Sequence, residues 1–255
     1  IYTLSLHDAL PIYFRIGHIG ANGANYKAME FGGEGLATLT MSDRIAICNL
    51  CVEAGAKTAL MPVDEVAMGY LKEHGREPKA VFDSDPDAEF AAVYEISLSE
   101  IKPIVAKPHF VDNVVPAVEC KGVKIDEAFL GSCNNGRIED LRVGAALIKG
   151  RKVSPEVRFL VVPASRSVYL QAMKEGILDI FMEAGAIVMD PNCSVCWGSC
   201  QGVIGENEVL ISTGTRNFKG RAGHRDSFVY LASAATVTAS AILGEIATAD
   251  MLQEV

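Results

Sequence analysis

Between Asp126 and Met189 the sequence switches repeatedly between two hydrophobic periods, and this alternation restricts the fold more than any other feature. Asp126 to Gly131 (DEAFLG) reads as a short strand, Ser132 to Gly136 as a loop, and Ile138 to Lys149 as an amphipathic helix. Arg158 to Val162 reads as a buried strand, Ser165 to Glu175 and Asp179 to Ala184 as helices, and Ala186 to Met189 as another strand. Strands separated by helices pair in parallel, because the helical crossover carries the chain back to the same end of the sheet. The expected class is therefore α/β, and in such sheets ligands gather outside the carboxyl ends of the strands.

Cysteines fall at two of those ends. Cys133 follows the first strand, and Cys193 and Cys196 follow AIVMDPN as a C-x-x-C pair. Three thiols delivered from two strand ends match a metal site with three protein ligands. Cys200 follows at the wider C-x-x-x-C spacing, so a closed four-cysteine zinc site has to be weighed. An iron–sulfur cluster accepts irregular spacing and can leave one iron without a protein ligand. From spacing alone, cluster, zinc and no metal all stay open. Seven cysteines, an odd number with no secretory signal ahead of them, argue against a disulfide framework and for a reducing, cytoplasmic setting.

A net charge of −9 with no Lys/Arg run gives no footprint for nucleic acid. The longest uncharged stretch, Ser227 to Gly244, is interrupted by Ser and Thr and rich in Ala, which predicts a packed core helix and no membrane span. Against this acidic background, Thr215 to Arg221 (TRNFKGR) places Arg216 and Arg221 five residues apart. Arginine forks carboxylates, so the pair points to a small acidic substrate.

The amino-terminal half is less legible. Gly17, Gly20, Gly23, Gly32, Gly33 and Gly35 do not form the dinucleotide-binding pattern and read as turns. A helix is signalled from Ser42, as N-cap, to a stop at Gly55. It places Asn49 and Glu53 one turn apart, a polar pair on an apolar helix, and Cys48 and Cys51 as small core residues. Residues 72–92 read as a polar surface segment with a short helix. Residues 94–116, punctuated by Pro103, Pro108 and Pro116, read as a linker with edge strands leading to a domain boundary near 116–122.

Taken together, GSCNNGRIEDLR (131–142), PNCSVCWG (191–198), TRNFKGR (215–221) and ICNLCVEAGAK (47–57) resemble the aconitase superfamily, and within it the isopropylmalate dehydratase and homoaconitase branch of large subunits. The resemblance implies three-layer αβα domains, divided here as 13–118 and 119–255. It implies a [4Fe–4S] cluster on Cys133, Cys193 and Cys196, substrate carboxylates on Arg216 and Arg221, and Asn49 and Glu53 as a polar pair beside the cluster, with Glu53 handling hydroxyl or water. Cys48, Cys51, Cys120 and Cys200 match no ligand position and are assigned to the core.

The implied activity is hydro-lyase: dehydration and rehydration of a hydroxy di- or tricarboxylate, as in leucine biosynthesis. Homoaconitase-type and dimethylmalate-type dehydratases are alternatives within the class, and a non-catalytic metal-binding module is the alternative outside it. The implied partner is a small subunit carrying a swivelling domain and the family's serine base. Two positions depart from the pattern, Asn134 where the family has Thr and Thr215 where it has Asn. The family's Asp-Ser-His region has no counterpart, and Ile1 to Ile12 reads as sequence foreign to the rest. The expectation is a carboxyl-terminal portion of a longer subunit, inactive by itself.

Overall fold

The computed structural model describes residues 16–253. The expected foreign leader at residues 1–12 lies outside them. A seven-stranded sheet organises the chain, with strands β3 (Ile104–Ala106), β4 (Val114–Pro116), β5 (Glu127–Gly131), β6 (Arg158–Val162), β7 (Ile187–Val188), β8 (Val209–Ser212) and β9 (Phe228–Leu231). Their order across the sheet is β4-β3-β9-β8-β5-β6-β7. The five strands from β9 to β7 are parallel, and β3 and β4 add an antiparallel edge. Two further strands, β1 (Ala28–Glu30) and β2 (Thr58–Leu60), pair in parallel as a separate ribbon.

Alternation along the strands explains why both faces are covered. Ala128, Leu130, Phe159, Val161 and Ile211 point to one core, shared with Leu141, Ala145 and Ile148 of helix Ile138–Ile148, Phe181 of helix Ile177–Ala184 and Val237 and Ala241 of helix Ala234–Leu243. Phe129, Leu160, Val162, Leu210, Val229 and Leu231 point to the other, which meets Leu36, Leu39, Ile47, Leu50 and Ala54 from the amino-terminal half. Period-two strands with apolar residues at every position are the mark of a sheet buried between two layers. The result is helices, sheet and a second, partly helical layer, the three-layer α/β arrangement anticipated from sequence.

Three expectations change. Helix Met41–Leu50 is capped by Thr40, not Ser42: its hydroxyl accepts from the Asp43 N–H at 3.2 Å while Asp43 accepts from the Thr40 N–H at 2.8 Å. The expected short helix within residues 72–92 is absent, since helix Glu65–Glu73 ends as that segment begins and no helix or strand follows until Leu98. Ser227 to Gly244 is not all helix: β9 occupies its first part, and Ser233 caps the helix that follows by accepting from the Thr236 N–H. The sheet also runs across residue 118, because β3 pairs with β9 through Ala106 and Leu231.

Candidate active site

From β5 the chain moves outward through β6 to β7, then returns to the far side of β5 to lay down β8 and β9. Winding therefore reverses between β5 and β8, and a crevice opens at the carboxyl ends of strands flanking such a reversal. Cys133 leaves the end of β5, and the 213–221 loop with both arginines leaves the end of β8. Cys193 and Cys196 arrive from the end of β7.

Thr213, wholly buried, ties the two flanking strands together. Its hydroxyl accepts from the Gly131 N–H at 2.9 Å, and its carbonyl accepts from Asn135 Nδ2 at 3.0 Å. Ser132–Asn135 forms a helical turn, not the open loop expected, and Ser132 holds a left-handed φ of 70° immediately before Cys133. Ser194 does the same at φ 44° immediately after Cys193. Non-glycine residues in this region cost free energy and persist where surrounding contacts over-determine them. Here those contacts include the Ser194 hydroxyl, which donates to the Gln201 carbonyl at 2.8 Å. A Cβ at Gly136 would stand 2.5 Å from the Val162 carbonyl oxygen, so only glycine lets the Cys133 turn lie against β6.

The thiols gather. Cys133 and Cys193 are exposed and Cys196 half-buried. Burial and the neighbouring Cys133, Cys196 and Cys200 push the Cys193 thiol up, and Arg221 opposes the rise, which places three further sulfurs and one guanidinium within electrostatic reach of Cys193. Cys200 is exposed, correcting its core assignment; the left-handed turns at Gly198 and Gly202 carry it to the surface. Cys51 and Cys120 are buried as expected, and Cys48 is half-buried. Burial, reinforced by Cys48, pushes the Cys51 thiol up to about 12, the state of an inert core thiol.

Among the described residues, no three Cys, His, Asp or Glu side chains are placed to hold a single metal ion. A lone zinc would need thiolates within about 4 Å of one another, given its 2.3 Å bonds. A cluster binds each thiolate to a different iron and so needs them spread around a larger body. Zinc asks for a tighter set of thiols than a cluster does. The buried Oγ of Ser132 and Oδ1 of Asn134, which flank Cys133, have no hydrogen-bond partner. Buried polar atoms left open beside a would-be ligand cysteine suit a site made to receive a polar group.

The arginines engage both sides of the crevice. Arg216 Nε lies 2.7 Å from Glu53 Oε1, joining the β8 loop to the turn after helix Met41–Leu50. Burial raises the Glu53 carboxyl above its usual range, while Arg216 and then Arg221 pull it down. Arg221 Nε donates to the Cys196 carbonyl at 2.7 Å, and its guanidinium lies 5.4 Å from the Phe218 ring centre. Asn49 is exposed one turn before Glu53. Sequence reasoning missed Asn217, buried between the arginines, whose Nδ2 donates to the Lys107 carbonyl at 2.8 Å and anchors the arginine loop to the β3–β4 hairpin. A side-chain amide inside a basic loop was its only signal.

A doubly wound α/β sheet with cysteines and arginines in the loops at its switch point indicates the class, and comparison makes it specific. The chain belongs to the aconitase family (aconitate hydratase), whose pattern it matches over residues 12–122 and 116–244. It is 47% identical to the 3-isopropylmalate dehydratase large subunit of Desulfitobacterium hafniense over 92% of its own length, and 50% identical to that of Aquifex aeolicus over 94%. It is 48% identical to the probable 3-isopropylmalate dehydratase large subunit of Methanothermobacter thermautotrophicus over 91%. The chain spans 55–56% of the length of these relatives. No helix among the described residues is long and apolar enough to cross a membrane.

Proposed function

We propose that the chain carries the cluster-binding and carboxylate-binding part of a 3-isopropylmalate dehydratase large subunit, a hydro-lyase serving leucine biosynthesis. The gathering of Cys133, Cys193 and Cys196 with Arg221, next to the Arg216–Glu53 pair, supports this reading most strongly. Cys133, Cys193 and Cys196 would hold a [4Fe–4S] cluster. When bound, that cluster supplies Lewis acidity toward a hydroxyl and a carboxylate at an iron with no protein thiolate.

The chain's own groups perform the rest. Arg216 and Arg221 each use Nε internally, so the outer edge of each guanidinium is left to fork a substrate carboxylate. Two cations there hold a dianionic acid in one orientation. Glu53, whose carboxyl burial raises against the pull of Arg216, would exchange a proton at Oε1 or Oε2 and so serve hydroxyl or water. Asn49, one turn away, offers an amide to the same crevice. The relatives' name as large subunits implies a small subunit. We assign to it the remaining acid–base group, and expect this chain alone to bind acids without turning them over.

Anaerobic reconstitution tests the reading. About four irons and four sulfides should remain bound per chain, and Cys196→Ser should lose them. With the small subunit added, 3-isopropylmalate should be dehydrated faster than homocitrate or dimethylmalate. Retention of the metal content by Cys196→Ser would sink the assignment.

A further inference from the structure

One guanidinium touches both loops that carry the chemistry, and each of those loops bears an exposed aromatic ring. Arg221 donates to the carbonyl of Cys196, the residue before Trp197, and lies over the ring of Phe218. Trp197 is 60% exposed and Phe218 51% exposed, although each is a large apolar surface of the kind that usually finds cover. The Trp197 loop carries Cys193 and Cys196, and the Phe218 loop carries Arg216 and Arg221.

From this arrangement we infer that Trp197 and Phe218 form an apolar lip that receives the hydrocarbon branch of a dicarboxylic acid whose carboxylate is forked by Arg221. The inference rests on the substrate class proposed above and names the residues that would read its branch. The Phe218 ring centre lies 5.4 Å from the guanidinium carbon, so a carboxylate on Arg221 and a branched alkyl group on the ring are separated by the length of one short acid. Removing water from two aromatic faces and a branched alkyl group is favourable and largely non-directional, while the arginines fix orientation. A plain dicarboxylate gains only the second of these.

Trp197 is the only tryptophan in the chain, so its emission reports on the lip without turnover. Isopropylsuccinate carries both carboxylates and the branch but no hydroxyl to lose, and succinate lacks the branch. Titrated into the reconstituted protein, isopropylsuccinate should shift the emission to the blue and bind about tenfold or more tightly than succinate. Phe218→Ala should remove most of that preference and leave succinate binding unchanged, while Phe218→Leu, which keeps an apolar side chain, should restore part of it. Arg221→Gln should weaken both acids. By calorimetry, Trp197→Ala should behave as Phe218→Ala.

Equal affinity for the two acids, or a parallel loss of both in Phe218→Ala, overturns the lip and leaves the carboxylate site standing. Failure of both acids to bind the unaltered protein overturns the carboxylate site and the lip together. An emission shift produced only by the small subunit overturns the lip in favour of a docking surface.

Discussion

Glu127, at the start of β5, is completely buried. Arg158 Nε donates to its Oε2 at 3.0 Å, but the outer nitrogens of that arginine fork Glu208 at 2.9 and 2.8 Å, and Glu127 Oε1 is left without a partner. Burial pushes the carboxyl up to about 7, against the pull of Arg158. The unfolded chain gives up this proton near 4.5, so the fold favours the protonated form. Stability is full below pH 4.5, declines between 4.5 and 7, and is level above, by on the order of 3 kcal/mol. Urea midpoints at pH 5 and pH 8 should therefore differ in the native protein and converge in Glu127→Gln; an unchanged difference in the variant would place its origin elsewhere. At Glu53 burial and Arg216 oppose each other. Arg216→Met should let burial act against Arg221 alone and move the Glu53 carboxyl higher still, measured by carbon-13 NMR titration of that side chain. A lower value would show that Arg216 is not its main counter-ion.

Two amino-terminal helices are locked by one carboxylate. Asp64 caps helix Glu65–Glu73 by accepting from the Val66 and Ala67 N–H groups, each at 3.1 Å, and it also receives two guanidinium bonds from Arg44 at 2.7 Å. Arg44 itself is 2% exposed and sits on helix Met41–Leu50, the support of Asn49. Asp64→Ala strands a buried cation and uncaps a helix, for an expected loss of about 3–5 kcal/mol. Thr40→Ala, which removes a cap alone, should cost about 1 kcal/mol. Equal losses in equilibrium denaturation would mean that the ion pair contributes nothing beyond a cap. Sequence reading captured β6 to the residue and the helices at 138–148 and 166–174 nearly so, since each has a clear period and a polar boundary. It passed over β8, four residues inside a Gly-rich stretch, and fused β9 with the last helix, because an uncharged run of Ala, Ser and Thr hides the switch that Ser233 makes. In the site, the cysteines and arginines were visible as residue types with chemistry. Thr213 and Asn217 were not, since their roles depend on which strands become neighbours, and that depends on the crossover.

At the scale of the molecule, the two halves share one sheet and one of its cores. Phe129, Leu160, Val162, Leu210, Val229 and Leu231 face the layer built by Leu36, Ile47, Leu50 and Ala54, and β3 pairs with β9 through Ala106 and Leu231. The crevice has the same dependence, with Glu53 on one side of residue 118 and Arg216 on the other. A piece comprising residues 119–253 keeps every cysteine and arginine assigned to the site, yet it exposes a whole face of the sheet and the edge of β9. Exposed faces and edges of that kind drive association. Expressed alone, it should bind a hydrophobic dye and aggregate, whereas 16–253 should unfold in a single cooperative transition. A monomeric 119–253 with its own sharp unfolding transition would show that the division near 118 is a true domain boundary and that the amino-terminal layer serves the site without sustaining the sheet.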